Sequence, residues 1–520
     1  MSKWMKVSTA LTMTAGLIAG CSGGQGDKAA TAPPPAGETK GATAPAAGEA
    51  KGIDLSEKIS INMMSIAYEG GAWSDKHPVI DELNKKLNID LKIQWVPSDN
   101  YSEKLGVMAA SNSFPDVFRI NSAEFLKWRD KGVFLDIAPM LGKYPNLVKT
   151  MDAETLAIGN PKGKTYALPN WTPEFRETLL VRKDWLEKLN LKPPTTVDEL
   201  YEVAKAFTKN DPDGNGKDDT IGYSFAISNN RSFTRGADPL RFAFGLANGW
   251  KEADGRIIPW QSQTKELKDF LGFTRKMYAE GLLDKDFAIN KGQDPDFKFE
   301  ANKVGFTDVP GTNIYDTGLP NLRKVVPTAD VLQLAPPKGP AGLQGNTTYA
   351  TTNKVVINAK LDKKKQERIM ALMDYMVTDE GHNLITYGVE GIHFKKTGDK
   401  YEVLPAFETD RPMLINFWFF HRFDALNTIR PWEDQDKAKK VQALFEENKK
   451  YLVKDKGAGL FSETSTKSGA TLDQKLMGEM VAIIMGQKPL EAIDAAVEAW
   501  KKDGGDKIIE EMNEQYKLSK

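Results

Sequence analysis

Regular alternation of apolar and polar positions begins near Ile53. Residues 58–66, KISINMMSI, repeat with a period of two and predict a strand. Residues 77–89, HPVIDELNKKLNI, bring Val79, Ile80, Leu83 and Leu87 close to one helical face. DLKIQWVP at 90–97 predicts a second strand with Leu91, Ile93 and Trp95 on one side. YSEKLGVMAASN at 101–112 reads as helix, and PDVFRI at 115–120 as a third strand. Strand, helix, strand, helix, strand is the order of an α/β lobe with a mostly parallel sheet. Ligands of such sheets bind at the carboxyl ends of the strands. SIAYEGGAW (65–73) and RINSAEF (119–125) fall at those ends.

The pattern continues with KGKTYALPNW (162–171), a hairpin or crossover into a second region, and RETLLVRKDWLEKLNL (176–191), a strand and a short helix. A helix follows, opened by a Thr196/Glu199 capping box, with Leu200, Val203, Ala204 and Phe207 at helical spacing. TIGYSFAI (220–227) predicts a strand, 264–281 a helix and NKVGFTDVP (302–310) a strand. VLQLAPPKGPAGLQ (331–344) suggests a crossing back to the first region, TNKVVINAK (352–360) a strand, and 362–388 a long helical stretch with Ile369, Leu372, Met373 and Met376 inward. The remainder from about Tyr401 is helix-rich.

At 520 residues the chain is too long for one core. With 70 Lys+Arg against 71 Asp+Glu it lacks the basic excess of a nucleic-acid binder. The first 20 residues have a basic start at Lys3 and Lys6 and a short apolar run, a signal peptide rather than a membrane span. The run ends in Ile18-Ala19-Gly20-Cys21, which resembles a bacterial lipobox; Cys21, the single cysteine of the chain, would be lipidated after cleavage. Residues 21–52 are rich in Gly, Ala, Pro and Thr, and form a flexible tether.

Little points to catalysis. The four histidines, His77, His382, His393 and His421, have no zinc-motif spacing, and one cysteine cannot build a thiolate site. No GxSxG elbow occurs, and GNPKGKT at 159–165 is one residue short of a phosphate loop. A spatial pair of carboxylates for glycoside hydrolysis stays open.

The lipobox, ASNSFPDVF (110–118), GKTYALP (163–169), VRKDWLEKLNLKPPTTVDELYEVAKAF (181–207), NDPDGNGKDDTIGYSF (210–225) and GVEGIHF (388–394) occur in that order. Together they resemble the family 1 extracellular solute-binding lipoproteins of bacterial carbohydrate ABC importers, especially the large oligosaccharide-binding lipoproteins of Gram-positive bacteria. The resemblance implies a two-lobe, periplasmic-binding-protein-like α/β fold with a hinge and an interlobe cleft that closes over a sugar. It implies lobes of 53–165 with about 335–400, and 166–334 with about 401–520. It also implies a monomer, tethered by lipid to the outer face of the cell membrane, that passes an oligosaccharide to ABC permease subunits.

NDPDGNGKDDT, 210–220, has oxygen side chains at Asp211, Asp213, Asn215 and Asp219 and a glycine at Gly216, the EF-hand positions 1, 3, 5, 9 and 6. It reads as a structural Ca2+ clip or as a solvated acidic turn. The resemblance extends to alginate-oligosaccharide-binding proteins with a similar calcium loop, and carried over by position it adds the Lys217 carbonyl to the ligands. Position 12 is Gly222, and Thr220 stands where the family often has Glu, so one strong ligand is missing or replaced.

Sugar pockets combine aromatic platforms with a few placed polar groups. Trp73, Trp171, Trp250, Trp260 and Trp418 are candidate platforms, each with core packing as the alternative. Glu69, Arg119, Asn121, Arg235 and Glu390 are candidate polar contacts. The arginines leave room for an acidic, uronate-containing ligand. Rival readings are a secreted polysaccharide-active enzyme and a same-fold receptor for a peptide or other non-sugar ligand.

Overall fold

The computed structural model describes residues 53–67, 74, 76–151, 156–160, 162–170, 177–228, 232–233, 236–347, 353–416, 420 and 430–519. The strands that build the two main sheets are, in chain order, β1 (Ile59–Ala67), β2 (Ile89–Pro97), β3 (Val117–Asn121), β4 (Leu168–Pro169), β5 (Glu177–Arg182), β6 (Phe306–Pro310), β7 (Val331–Gln333) and β8 (Asn353–Ile357).

The first sheet has the order β2-β1-β3-β8-β4. β1 runs parallel to β2, with Ile61 opposite Leu91 and Met63 opposite Ile93, and parallel to β3. β8 lies antiparallel between β3 and β4. Both faces are buried, as parallel strands require. Ile61, Met63, Leu91, Val117 and Val355 share one core with the helices α1 (Pro78–Leu87) and α2 (Lys363–Met376). Met64, Val96, Phe118, Ile120 and Val356 form another on the opposite face. The predicted apolar face of α1 is the buried one: Val79, Ile80, Leu83 and Leu87. Pro78 opens the helix, and Asn88 closes it in the left-handed region at φ 47°. The long stretch 362–388 breaks into α2 and α3 (Asp379–Tyr387), because the Thr378 side chain accepts the Gly381 N–H and starts a new helix.

The second sheet, β6-β5-β7, is antiparallel throughout. Leu179 and Val181 of β5 and Phe306 of β6 pack with Trp185, Leu200, Phe207, Phe270, Leu476 and Trp500. Thr196 caps the helix Val197–Lys209 as expected, accepting from Glu199 N at 3.2 Å. The Glu199 carboxylate reaches back to Thr195 rather than Thr196.

Two expectations fail. TIGYSFAI is a ladder strand only at its last residue, where Ile227 pairs with Phe233; before it, Ile221 and Tyr223 make single bridges to Val304 and Leu283. Gly222 explains the irregular path, since a Cβ there would lie 2.5 Å from the Ala204 carbonyl oxygen. VLQ at 331–333 does not cross back; it pairs with β5 as β7. The return to the first sheet falls between Thr347 and Asn353.

Core membership follows the chain in blocks. Leu168 packs in the first core, and so do Phe407, Leu414 and Phe420. Leu444 packs against Leu180 and Val309 of the second sheet, and Leu472 to Met512 rejoin the second core. The chain therefore passes between the two bodies three times: at 170–177, 347–353 and between Phe420 and Ala438. The bodies touch where Gly459 meets Gly159; a Cβ on Gly459 would lie 2.3 Å from the Gly159 nitrogen. Among the described residues no helix is long and apolar enough to cross a membrane.

Candidate functional site

The carboxyl edge of the first sheet carries a row of polar side chains. Met64 of β1 pairs with Phe118, which brings Ser65 beside Arg119. Arg119 faces Val355, and Asn121 faces Asn353. Asn170 donates its backbone N–H to the Asn353 carbonyl at 2.9 Å. Ser65, Arg119, Asn121, Asn353 and Asn170 thus share one sheet face on four neighbouring chain segments. Tyr101 ties the backbone beneath them: its hydroxyl is 3.1 Å from the Met64 carbonyl and 3.0 Å from that of Arg119. Ser65 Oγ, Arg119 Nε and Asn170 Oδ1 are buried and have no hydrogen-bond partner among the described residues.

Arg119 and Asn121 were expected at this edge and are there. Asn121 spends its Oδ1 on the Glu124 N–H, capping the following helix at 2.8 Å. Ser65, Asn170 and Asn353 escaped sequence reasoning, although each lies near a strand terminus at this edge: Ser65 two residues before the end of β1, Asn170 just after β4, and Asn353 at the start of the antiparallel β8. Lys354 also escaped it: it is buried on the opposite face, and burial alone lowers its pKa to about 8. Glu69, Trp73, Trp171, Arg235 and Trp418 lie outside the described residues, as does Cys21.

The remaining candidates stand apart from that edge. Trp260 is core: it is 6 % exposed and packs with Ile257, Leu267 and Trp500. Its ring is too enclosed to serve as a sugar platform. Trp250 begins a two-stranded ribbon, half-buried against the second core, with Gly457 against its ring. Glu390 is exposed on a turn whose backbone bridges to Phe394.

The acidic loop folds on itself. Asp211 Oδ1 accepts the N–H groups of Gly214 and Asn215, and Oδ2 that of Gly216 at 2.9 Å. Asn215 Nδ2 donates to Asp213 Oδ2 and Asp219 Oδ1, both at 3.0 Å. Lys303 pairs with Asp219 at 2.8 Å. Burial and the neighbouring Asp211 push the Asp213 pKa up, whereas the Lys303 ammonium holds Asp219 down. The turn geometry suits a cation loop, but the Asn215 amide points its NH2 at two carboxylates; an ion would require the amide to turn over. Thr220 supplies nothing here, since its hydroxyl donates to the Phe207 carbonyl at 2.7 Å. Gly222 is pressed against Ala204 and leaves no room for a side chain.

His77 and His393, distant in sequence, do meet. His393 Nε2 is 3.0 Å from Asp410 Oδ2, and His77 Nε2 is 3.3 Å from it, less well aligned. Among the described residues this is the one group of three such side chains close enough to hold a metal. The other ring nitrogens argue against an ion. His77 Nδ1 accepts the Val79 N–H at 3.2 Å, and His393 Nδ1 the Val389 N–H at 2.8 Å. In neutral rings the proton must then sit on each Nε2, facing Asp410, where a metal would need a lone pair. The cluster instead ties the start of α1 to the 389–393 turn and to the helix Pro405–Asn416.

Residues 74–383 match the bacterial extracellular solute-binding protein family. Lipoprotein LipO of Bacillus subtilis is 28 % identical over 535 residues, covering 100 % of this chain and 99 % of that protein. The polygalacturonan/rhamnogalacturonan-binding protein YtcQ of Bacillus subtilis is 29 % identical over 479 residues, with 89 % and 92 % covered. The substrate-binding protein FusA of Streptococcus pneumoniae, solved as an EF-hand mutant with fructo-nystose, superposes with a TM-score of 0.64 at 19 % identity, over 88 % of this chain and 99 % of that one. A two-lobe α/β fold with its polar row at a sheet edge, and a match over most of the described body, agree: the chain belongs to the bacterial extracellular solute-binding protein family.

Proposed function

We propose that this protein captures an oligosaccharide outside the cell and delivers it to the membrane subunits of an ABC importer. The observation that carries the reading is the pair of bodies joined by three chain passages, with unpartnered buried polar groups at the carboxyl edge of one sheet. A ligand that binds both bodies stabilises their closed arrangement by its differential affinity for it. The lobes are 53–170 with 353 to about 420, and 177–347 with about 435–519. YtcQ and FusA, as named, bind saccharides, which supports the same class of ligand here. Trp73 and Trp171 are the aromatic platforms in this reading. Cys21 carries the lipid that holds a monomer at the membrane, in keeping with the name of LipO. The 211–219 loop holds Ca2+ through Asp211, Asp213, Asn215, Asp219 and the Lys217 carbonyl, once Asn215 has turned; the EF-hand named for FusA supports this.

A thermal-shift screen of plant and bacterial oligosaccharides, followed by calorimetry, tests the reading. Trp73→Ala and Trp171→Ala should each weaken the best binder at least tenfold. A chain that binds no saccharide, or that hydrolyses the ones it binds, does not have this function.

A further inference from the structure

Five arginines are buried among the described residues. Four are compensated within the chain. Arg182 pairs with Asp184 at 2.6 Å, Arg241 with Asp238 at 3.2 Å and Arg430 with Glu433 at 3.2 Å. Arg368 donates to the carbonyls of Asp54, Glu57, Leu87 and Asn88. Arg119 differs. It is 7 % exposed, and its Nε lacks a hydrogen-bond partner as those of Arg241 and Arg368 do, but unlike them it has neither an ion pair nor a carbonyl partner among the described residues. A guanidinium stays charged at any physiological pH, so it cannot escape the burial cost by losing its proton. Leaving a buried charge without a counter-ion is unfavourable.

The place of Arg119 decides what offsets that cost. It is the third of the five residues of β3, two before the last residue Asn121, and lies toward the sheet edge where ligands of open α/β sheets dock. Ser65 Oγ and Asn170 Oδ1, also unpartnered, lie along the same edge. One fixed cation beside a hydroxyl and an amide oxygen matches a sugar ring that bears a carboxylate among its hydroxyls. We infer that Arg119 receives the carboxylate of a uronic acid, and that the ligand is an acidic oligosaccharide. The guanidinium fork takes a carboxylate through two parallel N–H···O bonds, which a neutral ester or hydroxymethyl group cannot reproduce. Ser65 and Asn170 then meet ring hydroxyls. This rests on the sugar-capture reading above and names its ligand class.

Calorimetry on the full chain with trigalacturonate, its methyl ester and a neutral trisaccharide tests it. The acid should bind at least tenfold more tightly than the ester, and Arg119→Gln should abolish that preference. Arg119→Lys should keep part of it, because the charge remains while the fork is lost. The acid–ester comparison needs no variant, so misfolding of Arg119→Gln leaves the test intact. Equal affinity for acid and ester, or a preference that survives Arg119→Gln, overturns the assignment while sugar capture stands. If no saccharide binds at all, both readings fall.

Discussion

His77 and His393 stack with ring centroids 5.7 Å apart, and each turns Nδ1 to a backbone N–H. A proton on either Nδ1 would face another N–H and break the contact. Burial lowers the pKa of His77 and the neighbouring His393 adds to this, against the opposing charges of Asp410 and Asp81. The unfolded chain takes up this proton near pH 6.5, whereas folded His77 does so only at lower pH. Stability from this group is complete above pH 6.5 and falls on acidification, by up to about 1.4 kcal/mol per pH unit. Asn also caps helices well, so His77→Asn keeps the acceptor for Val79 and removes the titration. Urea midpoints between pH 7.5 and 5 should fall less steeply in the variant. Equal slopes would mean that His77 does not contribute to the acid loss.

Calcium should raise the melting temperature of the chain relative to chelator. At a hundredfold excess over Kd, mass action supplies about 2.7 kcal/mol. Asp211→Ala should abolish the shift and also lower stability without calcium, because Asp211 holds three loop N–H groups. Lys303→Ala should strengthen calcium binding, since it frees Asp219 from its ammonium partner. A thermal shift that survives Asp211→Ala would place the ion elsewhere.

What the sequence revealed and what it hid have separate physical causes. Period-two and period-3.6 patterns located β1, α1, β2 and β3 closely, because burial on those faces is what selects the residues. The capping Thr196 was legible for the same local reason. TIGYSFAI was misread because Tyr223, Phe225 and Ile227 fill the second core, while only Ile227 at its end pairs in a ladder. Trp260 looked like a platform because indole composition alone does not distinguish a core ring from a cleft ring. His77 and His393 meet only through the tertiary fold, so spacing rules could not pair them. Arg119 was legible by its place in a strand, two residues before its end. Its lack of a counter-ion was not, since that depends on what the rest of the chain leaves unfilled.

Restoring the missing position-12 acid should fail. Gly222→Glu places a carboxylate where an EF-hand would want one, but the Cβ alone would lie 2.5 Å from the Ala204 carbonyl and 2.6 Å from its Cβ. The helix backbone there cannot yield as a side chain could. Overpacking of this kind costs about 1–3 kcal/mol. The variant should melt lower and bind calcium no more tightly than the unaltered chain. Tighter calcium binding at unchanged stability would show that the 220–222 segment can swing into the loop.

Gly459 tests the meeting of the two bodies. Its φ of 80° already disfavours any side chain, and a Cβ would sit 2.3 Å from the Gly159 nitrogen on the opposing body. Gly255 has a similar φ of 74° but nothing near its Cβ position. Gly255→Ala therefore isolates the backbone strain, about 1–2 kcal/mol. Gly459→Ala adds a clash that the chain relieves most cheaply by parting the bodies. If capture requires them to close, the best saccharide binder should lose affinity in Gly459→Ala and keep it in Gly255→Ala. Affinity falls by the factor by which the closed population falls. Small-angle scattering of the ligand-free variants should show Gly459→Ala expanded relative to Gly255→Ala. Identical affinity and identical dimensions would mean that the Gly159–Gly459 contact has no part in closure.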